Sequence, residues 1–327
     1  MPRSSTATGT TADPLRRAGE QLRPPASSYR GRFAPSPTGP LHLGSLLAAA
    51  GSWLDARAVG GQWLLRIEDL DPPREPPGAA EQIIRTLEAF GLWWDGEILF
   101  QSRRQPAYEE ALRALLAAGA AYHCGCSRAD IDAANTALGR PGDRRYPGTC
   151  RTAEGRRGDQ RVIRVRTTAE TLLIEDRLQA DFAQSLEGDV GDFVVRRREG
   201  YTAYQLAVVV DDAAQGVTDV VRGIDLLDST PRQVFLQGLL GLPRPRYMHV
   251  PIVAGRGGEK LSKQAGAAPV EVFNAGAIAW QVLTLLRHPP PPELRGAPPP
   301  ELWAWATASW RPQQLAEIRS IPAPRPL

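Results

Sequence analysis

Residues 32–45 read Arg32-Phe33-Ala34-Pro35-Ser36-Pro37-Thr38-Gly39-Pro40-Leu41-His42-Leu43-Gly44-Ser45. The stretch begins in a segment, residues 29–34, that predicts a short strand, and the run from Pro35 to Pro40 is a turn. Beyond it Leu43, Leu46, Leu47, Ala50 and Leu54 recur at helical spacing, which predicts a helix over residues 43–59, closed by Gly60-Gly61. Residues 63–67 then predict a second strand and residues 79–90 a second helix. Strand, helix, strand, helix in such quick succession implies a parallel α/β sheet with crossover helices.

The turn delivers His42-Leu43-Gly44-Ser45 to the start of the first helix. Free backbone N–H groups and the positive dipole end of a helix favour phosphate there. Gly44 lets a flat base approach the backbone closely, and His42 can donate to a phosphate. This is a nucleotide site in form; a capped helix with an incidental histidine is the plain alternative. A second feature lies some 220 residues on. Of 39 basic residues only Lys260 and Lys263 are lysine, in the run Lys260-Leu261-Ser262-Lys263-Gln264 after the glycine-rich residues 255–258. A composition rich in Ala, Arg, Gly and Pro points to a GC-rich genome, which pushes Lys toward Arg wherever either charge serves. Two neighbouring lysines therefore mark a place for a compact point charge rather than a planar fork. A mobile loop carrying such a lysine can close on ATP and stabilise charge on a transferring phosphoryl group. The plain alternative is a solvated basic turn.

Working outward, the 327 residues suffice for two or three domains. With 42% hydrophobic and 23% charged residues and a formal charge of +3 the composition is that of an ordinary soluble protein. No apolar run approaches the ~18 to 20 residues of a membrane span, and the first thirty residues lack the apolar core of a secretion signal. Three cysteines make no disulfide framework, which fits a reducing cytoplasm. The small net charge excludes a uniform polycation but not a local basic face.

Residues 1–28, rich in Ser, Thr, Arg and Pro, read as a disordered tail. Residues 108–118 predict a helix, after which Cys124, Cys126 and Cys150 bracket a loop rich in Gly, Arg and Asp. Alternation such as Val162/Arg164 and Val194/Arg196 predicts antiparallel strands over residues 160–200, as an insertion in the sheet domain. Residues 206–210 and 217–221 predict buried parallel strands, and residues 231–240 a helix. Residues 289–300 are proline-rich, and no internal repeat is evident.

Together these segments resemble the class I glutamyl-tRNA synthetases. Arg32 to Gly39 followed by His42-Leu43-Gly44-Ser45 looks like the family's HIGH region, and Lys260 to Gln264 like its KMSKS loop, with Gln264 where the consensus has Ser. Arg66-Ile67-Glu68-Asp69 and Val221-Arg222-Gly223-Ile224-Asp225 match at suitable spacing, so the resemblance covers residues 29–265. Residues 66–74 and 204–212 are similar to a truncated branch, the glutamyl-queuosine tRNA(Asp) synthetases. The stretch after the lysine loop is too short for the helical anticodon-binding region of the full-length enzymes.

The resemblance implies a Rossmann-like class I catalytic domain, with halves at residues 29–120 and 201–265. It also implies an inserted zinc-bearing α+β region at 121–200 and a short helical C-terminal extension at 266–327. The implied reaction is ATP-dependent activation of L-glutamate without tRNA, followed by transfer to the queuosine base at the wobble position of tRNA(Asp). His42 and Lys263 are the implied catalytic pair; His42, Gly44, Ser45, Lys260 and Lys263 would contact ATP, with Mg²⁺ held mainly by phosphates and water. Arg32, Phe33, Ala34, Pro35, Ser36, Glu68, Tyr204 and Arg222 would surround glutamate. The arginines would meet carboxylate and Glu68 the α-amino group, although each also has a plain structural use. One structural Zn²⁺ would take Cys124, Cys126 and Cys150 as ligands; zinc wants four. The family pattern supplies Tyr146, and His123 is the chemical rival, while three inert buried thiols are the plain alternative. Arg144-Arg145, Arg156-Arg157 and Arg196-Arg197-Arg198 could contact RNA phosphates or form a solvated face. A cytoplasmic monomer is expected. The competing readings are a shortened synthetase charging the tRNA 3′ end, a non-catalytic RNA-binding paralogue, and a generic adenylyltransferase.

Overall fold

A computed structural model of the chain describes residues 29–152, 162–255 and 268–323. The expected tail at 1–28, the Arg156-Arg157 pair and the segment carrying Lys260, Lys263 and Gln264 lie outside the described residues. The fold opens with β1 (Arg30–Phe33), α1 (Leu43–Arg57), β2 (Gln62–Ile67), α2 (Ala79–Ala89) and β3 (Leu99–Phe100). β1 pairs parallel with β2, and β2 parallel with β3, so both helices are crossovers as the sequence implied. The turn into β2 depends on Gly61. A side chain there would strike the Tyr29 carbonyl oxygen at 2.8 Å, and the Gly61 N–H donates to the Ala56 carbonyl at 2.8 Å to end α1.

The middle of the chain comprises α3 (Gln105–Ala117), β4 (Ala121–Cys124), α4 (Arg128–Ala137), β5 (Val162–Val165), β6 (Thr171–Ile174), β7 (Phe182–Ser185), the single turn α5 (Leu186–Asp189) and β8 (Val194–Arg196). β4, β5 and β8 form an antiparallel sheet, and β6 and β7 an antiparallel hairpin. The alternation read from residues 160–200 is thus realised as strands. One stretch returns to the main domain. Asp176 bridges to Tyr247, and the Arg177 N–H donates to the Tyr247 carbonyl at 3.0 Å.

The chain continues with α6 (Tyr204–Ala214), β9 (Asp219–Gly223), α7 (Thr230–Leu240), β10 (Arg246–Val250), β11 (Ile252–Ala254), α8 (Ala275–Leu285), α9 (Pro299–Ser309) and β12 (Ser320–Pro322). Here one expectation fails. Residues 206–210, expected as a buried parallel strand, lie inside helix α6. A continuous apolar run marks burial on every side, and a helix enclosed on several sides gives the same pattern as a central strand. Leu206, Val208 and Val209 pack in one core with Leu112 and Leu115 of α3 and Phe235 and Leu236 of α7. Tertiary contact therefore overrides the β preference of the valines.

β9 pairs parallel with β10. The residue leading into β9 lies beside β1: the Thr218 N–H donates to the Arg30 carbonyl at 2.9 Å, and the Arg30 N–H to Thr218 Oγ1 at 2.9 Å. The order across the domain is β3-β2-β1-β9-β10, and the direction of winding reverses between β1 and β9. In open α/β sheets that reversal opens a crevice at the carboxyl ends of the strands. The main core lies behind it. Leu46, Leu47 and Leu54 of α1 pack against Leu65, Ile67, Met248 and Val250 of the sheet. On its other side α1 meets Ile278, Val282 and Leu286 and the indole of Trp303, from the α8 and α9 region. The proline-rich residues between α8 and α9 thus join two helices of the principal core. Among the described residues no helix is long and apolar enough to cross a membrane.

Candidate active site

A cleft of about 370 Å³ opens where the strand order predicts one, within the range usual for small-molecule sites. Arg32 to Ser36 line it from the end of β1, Glu68 from the end of β2, and Arg222, Gly223, Asp225 and Leu226 from the end of β9. Pro251 to Val253 line it after β10, and Tyr204 from the first turn of α6. His42, Gly44 and Ser45 form the wall at the start of α1. Every glutamate-site residue named from the sequence lies in this one cleft, as do the nucleotide-site residues within the described chain. The flanks of the lysine segment are there too. Val253 lines the cleft, and Pro269, beyond the segment, bridges to His42.

His42 is the N-cap of α1. Its Nδ1 accepts from the Ser45 N–H at 3.3 Å, and its Nε2 lies 3.0 Å from Ser45 Oγ. A ring that accepts through Nδ1 carries its proton on Nε2 when neutral. The cap therefore puts the neutral ring's proton on Nε2, where Ser45 Oγ is its neighbour at 3.0 Å. On the far side of the turn the Glu68 N–H donates to the Pro35 carbonyl at 3.0 Å, tying the end of β2 to the loop after β1.

The cleft floor is a buried charge cluster. Arg66 Nη1 donates to Asp212 Oδ1 at 2.8 Å and to Gln215 Oε1 at 2.8 Å, while its Nη2 reaches Glu68 Oε1 at 3.3 Å. Arg32 Nε meets the same Asp212 oxygen at 3.3 Å. Burial pushes the Glu68 carboxyl above the ordinary range, against the pull of Arg66 and Arg32. Burial acts likewise on Asp212, but there Arg32 and Arg66 prevail and hold the group below its ordinary value. One carboxylate thus anchors two arginines, and a second, Glu68, is less fully compensated.

Arg222 is held differently. Its Nε donates to His249 Nε2 at 3.0 Å, Nη1 to Gln233 Oε1 at 2.8 Å, and Nη2 to Thr230 Oγ1 at 2.8 Å and the Leu226 carbonyl at 3.3 Å. All these acceptors are neutral, and no carboxylate among the described residues makes an ion pair with Arg222. Tyr204 Oη lies 3.5 Å from Nη1, and burial raises the Tyr204 hydroxyl above its usual value, so it stays a neutral hydrogen-bonding group. A buried cation with no anionic partner among the described residues, beside a buried carboxylate that is only partly compensated, suits a ligand bearing both an anion and a cation.

Away from the cleft the three thiols converge. Cys124, Cys126 and Cys150 are buried, with their Sγ atoms within 4.8 Å of one another, and Cys126 and Cys150 lie 3.5 Å apart. Tyr146 Oη lies 3.4 Å from Cys124 Sγ and 3.6 Å from Cys126 Sγ. Tetrahedral zinc with Zn–S bonds of ~2.3 Å separates sulfurs by ~3.7 Å, so this donor set fits such an ion. Strand alternation sends the neighbouring His123 to the exposed face of β4. Arg164 stacks 4.0 Å above the Tyr146 ring and donates to Cys124 Sγ at 3.4 Å. The loop is pinned from behind, where Arg151 Nε donates to buried Asp192 at 2.6 Å.

The arginine triplet is engaged within the protein: Arg196 with Glu109 at 3.5 Å, Arg197 with Asp71 at 3.0 Å, and Arg198 with the Gly125 carbonyl at 3.2 Å. Arg145 pairs with Asp143 at 2.6 Å. Sequence reasoning assigned no role to Arg66, Asp212, Asp176 or His249. The available signals were an acidic pair inside an apolar helix (Asp211-Asp212) and a lone histidine inside the apolar strand β10.

Comparison with known proteins agrees with this geometry. Residues 28–281 match the family described as tRNA synthetases class I (E and Q), catalytic domain. The glutamyl-Q tRNA(Asp) synthetase of Thiobacillus denitrificans is 53% identical over 296 residues, 90% of this chain and 98% of that protein. The enzyme of the same name from Ectopseudomonas mendocina is 52% identical over 295 residues, 90% of this chain and 97% of that one. Among solved structures, a glutamate tRNA ligase from Elizabethkingia meningosepticum, in complex with its amino acid, superposes with a TM-score of 0.65 at 29% identity. That match covers 73% of this chain and only 52% of the larger enzyme. With the crevice at the β1–β9 reversal, the HLGS cap and relatives matched along nearly their whole length, the chain belongs to the glutamyl-Q tRNA(Asp) synthetase family of class I ligases.

Proposed function

We propose that the protein activates L-glutamate with ATP and transfers it to the queuosine base at the wobble position of tRNA(Asp). The observation that carries this reading is the cleft's charge arrangement, in which, among the described residues, Arg222 is gripped by neutral groups alone and Glu68 is buried nearby. In the proposed complex Arg222 and Arg32 face carboxylate, Glu68 faces the α-ammonium, and Ser36 and Tyr204 add hydrogen bonds. Phe33, Ala34 and Pro35 wall the same side. The glutamate α-carboxylate attacks the α-phosphorus of ATP; a P–O bond forms and pyrophosphate leaves. No protein nucleophile is needed, so positioning and charge stabilisation supply the rate. The amides at Gly44 and Ser45 and the Nε2 donor of His42 hold phosphates, and Lys260 and Lys263 compensate the leaving charge. Mg²⁺ bound by the phosphates neutralises further charge. A hydroxyl of the cyclopentene ring then attacks the acyl carbon and AMP departs. A structural Zn²⁺ on Cys124, Cys126, Tyr146 and Cys150 would fix the loop beside the antiparallel sheet, on the side proposed to meet RNA.

The test is glutamate-dependent ATP–pyrophosphate exchange without RNA, on wild type and Lys263→Ala, followed by transfer to tRNA(Asp) with and without queuosine. Exchange that collapses in the variant, with transfer only to the queuosine form, is the expected result. Acylation of the tRNA 3′ end would identify a shortened synthetase instead. Absence of exchange with glutamate would remove the glutamate assignment.

A further inference from the structure

β9 and β10 are in register so that Arg222 stands opposite His249. His249 is wholly buried. Its Nδ1 lies 2.6 Å from Asp176 Oδ2, its Nε2 accepts from Arg222 Nε at 3.0 Å, and Thr230 Oγ1 lies 3.3 Å from the same Nε2. Tyr247 stacks on the ring, with centroids 6.2 Å apart and planes 7° from parallel. The Asp176 side chain is itself completely buried, and its Oδ1 accepts from the N–H groups of Leu178 and Gln179 at 2.9 Å.

A neutral imidazole has one proton to place, and the hydrogen bond at one nitrogen decides the role of the other. Asp176 can only accept, so it draws the proton to Nδ1 and leaves the Nε2 lone pair facing Arg222. Burial, ahead of the favourable Asp176 contact, lowers the His249 pKa, with Arg222 adding repulsion, so the ring stays neutral. A carboxylate in direct contact with Arg222 would cancel the charge the cleft needs. An imidazole in between fixes the guanidinium plane without cancelling it.

We propose that Asp176 and His249 are positioning residues that orient Arg222 through a single imidazole tautomer and thereby set the enzyme's grip on the carboxylate substrate. The proposal rests on the glutamate reading above. Asp176 belongs to the stretch returning from the inserted region, so a residue outside the sheet core governs the geometry of the cleft.

The experiment uses Asp176→Asn, which keeps the side-chain shape. Asn Oδ1 preserves the backbone contacts from Leu178, Gln179 and His249 while its NH₂ donates to His249 Nδ1. The ring proton must then move to Nε2, placing donor against donor at Arg222 Nε. The expected result is a KM for glutamate raised about ten- to a hundredfold in pyrophosphate exchange, with the KM for ATP within about twofold. ¹⁵N NMR of the histidine rings should show the buried ring protonated at Nδ1 in wild type and at Nε2 in the variant. His249→Gln, whose amide oxygen can replace Nε2 as acceptor, should recover most of the glutamate KM lost in His249→Leu. A wild-type ring protonated at Nε2, or a shift common to both KM values, overturns the proposal. So does an unchanged glutamate KM in a variant with normal wild-type exchange alongside it. Wild-type protein without glutamate-dependent exchange overturns the underlying reading, and the proposal with it.

Discussion

Glu68 carries opposing influences on a single carboxyl: burial raises its pKa, while Arg66 and Arg32 pull it down without fully compensating. The ligand proposed here offers an ammonium, which requires the carboxylate form. A raised pKa means that the empty site takes up a proton at a higher pH than an ordinary glutamate does, and binding must expel it. Glutamate affinity should therefore weaken as pH falls from neutrality toward the ordinary carboxylate range, beginning in a window above the titration of free glutamate's own carboxyls. In Glu68→Gln the KM should be about ten- to a hundredfold higher at neutral pH and nearly flat across that window. Measuring KM against pH in both proteins checks this; parallel profiles would remove Glu68 from the ammonium site. At this scale the sequence was informative where a motif supplied the residue, as for Arg32, Glu68 and Arg222. It was silent on Asp212 and His249, because what makes them matter is a partner 180 or 27 residues away.

The elements were legible to different degrees. α1 and β2 carry clean periodicity with a turn or glycine at their limits, so local rules sufficed. α6 did not yield to the same rules, since burial on several sides erases the amphipathic signal that separates helix from strand. The cysteine region shows the same limit in another form. Spacing singled out three candidate ligands, but the choice between Tyr146 and His123 as a fourth depended on the face of β4 that carries His123 and on where the Tyr146 loop folds. His123 is on the exposed face, while Tyr146 Oη lies within 3.6 Å of two thiols. Tyr146→Phe should lower zinc retention against a competing chelator by about tenfold or more, and His123→Ala should leave it unchanged. Metal analysis after dialysis reads both, and the opposite pattern would exchange the two assignments.

At the scale of the whole molecule, the C-terminal helices are structural partners of the catalytic sheet. Trp303 is almost fully buried against α1, and its Nε1 donates to the Phe90 carbonyl at 2.6 Å. Trp303→Ala should cost about 3–5 kcal/mol of stability, seen as a lowered denaturation midpoint with little change in the glutamate KM of the protein that remains folded. A large KM change at unaltered stability would contradict that purely structural role. Trp310 Nε1 reaches Asp55 at 3.2 Å, and Asp55 also holds Tyr29 at 2.6 Å and Arg177 at 2.5 Å. The start of the described chain, the residue after α9 and the returning stretch thus meet at one buried carboxylate.

The sequence by itself determined the parallel α/β class, the turn that carries His42 to Ser45 into the first helix, the three cysteines and the family, because these depend on local periodicity, turn chemistry and motifs of adjacent residues. Only the tertiary structure decided that residues 204–214 are a helix, that Asp212 anchors two arginines, that Tyr146 rather than His123 faces the thiols, and that Arg222 is held by neutral acceptors. Each of those outcomes depends on which distant side chains share a buried, low-dielectric space. There a missing partner costs far more than local propensity contributes.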